Sequence, residues 1–349
     1  MTPRPFGSLA SGEPVEAYTL TNDAGASLTV LPYGGIVSSI RMPDRQGRMD
    51  DVVLGFNDLG DYLGAHPYFG AIIGRIAGRV SGGYLPLDGR AYVLARNDGP
   101  NHLHGGRVGL DKRIWAAQPL DRPDGAPSLR LFYVSPDGEE GYPGNVAISV
   151  TYTLTAGNAF IIETEATADR ETPLSLANHS YFNLAGEGSG GISSHELRIH
   201  ADEYVPADDA MTLSDRRERV AGRNADFRRS RGLGEAVPKL FKAHGDVYLL
   251  RAPDAAAPLG PRLAARVAEE RSGRVLEVFT DESCLQFYTG SALNGTLVGK
   301  SGTRYGPHAG FCLECHGYPN ASRVGAFGDI LVRPGRPQSR RTVYAFSTC

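Results

Sequence analysis

One glutamate and two histidine segments hold the side chains best suited to move protons near neutral pH. Glu314 lies in Gly310-Phe-Cys-Leu-Glu-Cys-His-Gly-Tyr-Pro319, an apolar stretch that runs into a turn. Read as a strand, it puts Cys312, Glu314 and His316 on one face and Leu313 and Cys315 on the other. A carboxylate among apolar neighbours has its charged form disfavoured, which moves its pKa into the range of a working proton acceptor. On a solvated edge strand the same glutamate would be an ordinary surface charge. The histidines stand in Asn101-His-Leu-His-Gly-Gly106 and Asn178-His-Ser-Tyr-Phe-Asn-Leu-Ala-Gly186. Imidazole gives and takes protons near neutrality, so His104 and His179 with Glu314 make an acid/base set. His102 is read as a satisfied structural histidine. His102 and His104 share a strand face, but no third ligand follows at metal-binding spacing, so no metal is expected. Gly105 and Gly106 fit a turn or a close approach by a ligand.

The elements that must position these residues read as strands. Alternation is clearest in 146–154, where Val146, Ile148, Val150, Tyr152 and Leu154 point one way and small polar residues the other. Segments 128–134, 160–167, 275–280 and 341–346 behave alike, with turns drawn from 44 glycines and 23 prolines. The pattern predicts an all-β chain. Segment 262–270, Arg-Leu-Ala-Ala-Arg-Val-Ala-Glu-Glu, is helical by propensity. No linker, internal repeat or low-complexity stretch divides residues 1–349, which read as one domain.

Composition removes several classes of function. Net charge is −3, which leaves no basic field for nucleic acid. Seven arginines crowd 216–231, but Asp215, Glu218 and Asp226 interrupt them, and a solvated loop is expected. Four cysteines, Cys284, Cys312, Cys315 and Cys349, do not make a disulfide framework in a chain of 349 residues. Cys312 and Cys315, three apart on a strand, face opposite ways and read as buried small hydrophobes rather than a chelating pair. No stretch has the length of a membrane span or the apolar core of a signal peptide, so cytoplasmic residence is the expectation.

The order of motifs resembles the aldose 1-epimerase family, of the galactose mutarotase type. It starts at Tyr33-Gly-Gly-Ile-Val and Asp50-Asp-Val-Val-Leu-Gly-Phe56 and runs through Tyr68-Phe-Gly-Ala-Ile-Ile-Gly-Arg-Ile-Ala-Gly-Arg79. Both histidine segments, Gly109-Leu-Asp-Lys-Arg-Ile-Trp115, Pro136-Asp-Gly-Glu-Glu-Gly-Tyr-Pro-Gly144, Leu285-Gln-Phe-Tyr-Thr-Gly290 and the Glu314 strand follow in register. The resemblance implies a large β-sandwich, the galactose mutarotase-like supersandwich with few short helices, and a strand over 262–270. It implies a free aldose as substrate, no cofactor, and no nucleic-acid or membrane partner; a monomer and a dimer both stay open. Carried over by position, Glu314 is the base at the anomeric hydroxyl, His179 the acid at the ring oxygen, and His104 supports the ring-oxygen side. Arg79, Asp246 and Gln286 hold sugar hydroxyls, and Asn101, heading its motif, is placed with them. An epimerase of a modified or phosphorylated sugar, or a non-catalytic carbohydrate-binding protein, are the alternatives on this scaffold.

Three departures bear on sugar choice. Gly78 stands where an asparagine usually precedes the binding arginine; either a sugar contact is missing, which Gly78→Asn would restore with sharper discrimination, or the glycine holds a special backbone angle. Cys315 and His316 replace a threonine and a glutamine. Residues 208–217 lack a proline-threonine-glycine turn.

Overall fold

A computed structural model describes residues 2–252, 260–325 and 328–349. Its backbone is built from antiparallel strands, and the longest helices among the described residues are the single turns Leu59–Leu63 and Leu233–Ala236. The largest sheet has nine strands. In spatial order they are Ala116–Leu120, Ser128–Ser135, Val146–Leu154, Ala159–Ala168, Gln338–Thr348, Arg274–Thr280, Arg262–Glu269, His195–Ile199 and Arg231–Gly232. Two five-stranded sheets complete the sandwich. One gathers the N-terminal strands between Arg4 and Asp51; the other runs Glu218–Arg219, Ala201–Val205, Val247–Leu250, Cys284–Tyr288, Cys312–His316.

Alternation and burial agree along 146–154. Val146, Ile148, Val150, Tyr152 and Leu154 are all buried, while Ala147, Ser149 and Thr151 are partly open. Thr153 is buried too, because its Oγ1 lies 2.8 Å from Oγ of Ser128 on the neighbouring strand. One continuous apolar core joins these residues to Leu20, Leu28 and Val30 of the N-terminal sheet and to Leu285, Phe287 and Leu313 of the other. Burial of this shared core fixes how the layers sit on one another.

Segment 262–269 is a strand, against its own helical propensity. It lies between His195–Ile199 and Arg274–Thr280 and pairs with both, so its backbone groups are satisfied by neighbours, and Ala264 and Ala265 are buried. The arginine-rich stretch is mostly loop, and its charges meet acids nearby: Arg223 reaches Glu218 at 2.9 Å and Arg228 reaches Asp226 at 2.8 Å. Such exposed pairs contribute less than about 1 kcal/mol each. Among the described residues no helix is long and apolar enough to cross a membrane. Cys284, Cys312 and Cys315 are buried and reduced, and Cys349 is exposed.

Candidate active site

Strand register sets the floor of the site. Val247 pairs with Gln286, and Gln286 with Glu314, across three adjacent strands. Gln286 and Glu314 therefore stand side by side on one face, and Asp246 enters beside them from the turn before Val247. Above this floor lies a cleft of about 270 Å³, lined among others by Tyr68, Arg79, His104, His179, Asp246, Gln286 and Glu314. Six of the seven residues singled out from the sequence thus meet in one place.

Asn101 is the exception. It is fully buried and does not line the cleft. Its Oδ1 accepts from the backbone N–H of Gly82, and its Nδ2 donates to the Ala210 carbonyl and Thr212 Oγ1. With its amide committed to protein partners, Asn101 has nothing left for a sugar; it ties down the 208–213 loop, whose Met211 and Leu213 form part of the cleft wall. His102 is likewise internal, its Nδ1 donating to the Ala95 carbonyl and its Nε2 accepting from the Tyr142 hydroxyl at 2.6 Å.

Each histidine of the cleft is held by its own motif. Asn178 donates to the Gly70 carbonyl and accepts from the N–H and hydroxyl of Ser180, which clamps the backbone on both sides of His179. The ring lies between Tyr68 and Tyr181, near parallel to both, with centroids 5.7 and 5.0 Å away. His104 adopts a left-handed φ of 51°, an uncommon angle for a side-chain-bearing residue and one that turns the ring into the cleft. Gly105 follows with φ of 90°, where any Cβ would strike the Gly74 carbonyl. That turn requires glycine.

The backbone N–H of Gly78 donates to His104 Nδ1 at 3.0 Å. A neutral imidazole has one lone pair, so Nε2 of His104 carries the proton and donates into the cleft. This bears on metal binding. His104, His179 and Glu314 offer ligand atoms within 4.8 Å of one another, a proximity that their separation in sequence conceals. Yet His104 has no lone pair left for an ion, and two neutral or acidic ligands alone make a poor zinc site.

Gly78 explains itself by the same contact. Its φ is 82°, and a Cβ there would lie 2.7 Å from Cγ of Pro319. The backbone-angle reading accounts for the residue. Gly78→Asn is therefore expected to displace Pro319 and the N–H that fixes His104, costing about 1–3 kcal/mol of stability. Catalytic efficiency toward different hexoses should fall in parallel, with no gain in discrimination; a sharpened preference at unchanged melting temperature would restore the missing-contact reading.

Electrostatics separate the titrating groups. Burial pushes Glu314 up to about 8, opposed by the nearby Arg79 guanidinium. Burial brings His179 down to about 3. His104 is held well below its usual value by burial and then by His179 and Arg79. Burial alone raises Asp246 to about 6. Oε1 of Glu314 faces Nε2 of His179 at 3.7 Å, while Oε2 is buried without a hydrogen-bond partner. An orphaned carboxyl oxygen in a cleft is costly to fold and useful only once something enters to use it.

Other residues of the site were hidden in sequence. Asp98 holds Arg79 through Nε at 2.6 Å. Tyr68, Tyr181 and His244 line the cleft; the signal for Tyr68 and Tyr181 was membership of the motif blocks, and for His244 its place two residues before Asp246. Cys312 touches His179; its place on the Glu314 face was the available sign.

Comparison with known proteins identifies the family. A family model described as aldose 1-epimerase matches residues 16–345. Galactose mutarotase of Sus scrofa is 42% identical over 346 residues, covering 98% of this chain and 97% of that protein. Aldose 1-epimerase of Escherichia coli (strain K12) is 34% identical over 96% of each. Among solved structures, an aldose epimerase homologue from C. elegans superposes with a TM-score of 0.87 at 29% identity, covering 96% of this chain and 99% of that one. With its motifs in order, its sandwich matched and its profile shared almost end to end, the chain belongs to the aldose 1-epimerase family.

Proposed function

We propose that this protein is a mutarotase that interconverts the α and β anomers of a free aldose through a single proton held by Glu314 and His179. The observation that carries the reading is the facing of Oε1 and Nε2 at 3.7 Å within a cleft whose polar walls, Arg79, Asp246 and Gln286, suit a polyhydroxylated ligand. Glu314 above neutrality and His179 well below it mean that the pair holds one proton at pH 7, resting on the carboxyl.

The two halves of the reaction use the two tautomers of this pair. In ring opening, the Glu314 carboxylate takes the proton of the anomeric hydroxyl. The carbonyl forms as the bond from C1 to the ring oxygen breaks, and that oxygen takes the proton from Nε2 of the His179 imidazolium. The pair is left as carboxylic acid and neutral imidazole. Rotation about the C1–C2 bond presents the other carbonyl face, and the same transfers reversed close the ring as the opposite anomer. His104 donates from Nε2 to the ring-oxygen side throughout. Before opening, the carboxyl proton passes from Glu314 to Nε2 of His179; the remaining proton transfers run between side chain and sugar, and the rotation moves none.

A phosphorylated substrate fits less well. Arg75 is buried and spends its guanidinium on the carbonyls of Ser135, Pro136, Pro143 and Gly144, and Arg79 is engaged by Asp98. Converging cations are what a phosphate needs. A purely sugar-binding role gives no reason for a buried, half-satisfied carboxyl beside a histidine. Polarimetry on freshly dissolved α-galactose, and then on glucose and pentoses, tests the function. Anomer exchange well above the subtracted spontaneous rate is expected for at least one unphosphorylated aldose; exchange at the spontaneous rate for all of them would remove the proposal.

A further inference from the structure

The least explained contact in the site lies behind His179. Cys312 Sγ is 3.5 Å from Nδ1, on the side of the ring away from Glu314. Strand pairing places it there, two residues before Glu314 on the same face. The sulfur is completely buried. Nε2 faces the Glu314 carboxyl at 3.7 Å, the partner with which it trades the mobile proton, so Nδ1 carries the ring's own proton and points it at the sulfur. Nε2 keeps the lone pair that must trade protons with the carboxyl and the sugar.

We propose that Cys312 is a positioning residue for this reaction, its sulfur accepting Nδ1–H of His179 and so assigning proton exchange to Nε2. This rests on the reading of His179 as the acid. The arrangement has the logic of an acid/base histidine oriented by a third group, with one difference in strength. A carboxylate in that place would stabilise the imidazolium; a thiol sulfur is a weak acceptor and stabilises it little. The imidazolium therefore stays a strong acid, suited to a ring oxygen of low basicity. The other groups facing His179 are Glu314, His104, Tyr68 and Tyr181, with the charges of Arg79 and the rings of His66 and His244 beyond. Burial holds the thiol itself protonated.

The test combines kinetics with nitrogen NMR on the full chain in three variants. Cys312→Ala removes the acceptor: the His179 signals should move toward a mixture of tautomers, and kcat should fall about tenfold with KM changed less than twofold, the size expected for one hydrogen bond. Cys312→Ser keeps an acceptor of similar shape and should restore the Nδ1–H tautomer and kcat to within about threefold. Cys312→Asp should hold His179 as imidazolium at higher pH and move the corresponding limb of the pH–rate profile upward. Wild-type tautomer and a superimposable pH–rate profile in Cys312→Ala would overturn the inference, and that variant, the smallest change, decides the matter if the aspartate fails to fold. Loss of activity in His179→Asn alongside an indifferent Cys312→Ala would sink this inference alone; an active His179→Asn would sink the reading beneath it.

Discussion

Glu314→Gln is expected to lower kcat for anomer exchange by about two to four decades, the usual weight of a positioned acid or base, while making the protein more stable in alkali. The amide keeps the shape of the side chain and loses the proton-accepting charge. Its effect on stability follows from burial. The folded carboxyl titrates near 8 against 4.5 for the exposed group. The wild type therefore has its full stability below about 4.5 and gives part of it up as the pH rises through 8, because the folded state must then carry a buried charge. Glutamine does not titrate, so above pH 8 the variant should exceed the wild type by a few kcal/mol. Thermal melts at pH 5 and pH 9, with exchange rates corrected for the spontaneous reaction, read both effects. Activity within a few-fold of wild type removes Glu314 as the base; equal melting temperatures at pH 9 remove its buried, raised titration.

His179→Asn is the companion result. Asparagine cannot carry the mobile proton, so kcat should again fall by about two to four decades, while sugar affinity, which we assign to Arg79, Asp246 and Gln286 of the cleft wall, should change only a few-fold. Calorimetric titration with galactose alongside kinetics separates the two. Because the two residues share one proton, the double variant Glu314→Gln/His179→Asn should lose little more than the worse single change. Losses that multiply in full would mean that the groups act independently.

Much of the fold was legible because burial imposes a two-residue period, and 146–152 shows that period without interruption. Segment 262–269 could not be read locally: its alanines and charged residues favour a helix, and only strands on both flanks, distant in sequence, make the extended form the better one. The motifs carried most of the site, since Glu314, His179 and His104 each sit where their own backbone must turn or pair. What they could not carry was direction. Asn101 heads a motif of the cleft, yet it faces the protein, because the Gly82 N–H, the Ala210 carbonyl and the Thr212 hydroxyl take up its amide. Asp98 and Cys312 act through contacts with Arg79 and His179 that no spacing along the chain encodes. Gly78 looked like a missing sugar contact until its backbone angle and Pro319 gave it a different reason.

The strand Gln338–Thr348, although last in sequence, lies in the middle of the nine-stranded sheet, between Ala159–Ala168 and Arg274–Thr280. The hairpins on either side can form while the chain is still being made, but they have no partner for their inner edges until this strand leaves the ribosome. Closure of the sheet is therefore a late, long-range event, slow by the loop entropy it must overcome. Until then two apolar strand edges stand open to other chains. Loss of those eleven residues would split the sheet in two, so deletion of this one strand should send nascent chains to aggregation or chaperones, however far the cut lies from the sugar.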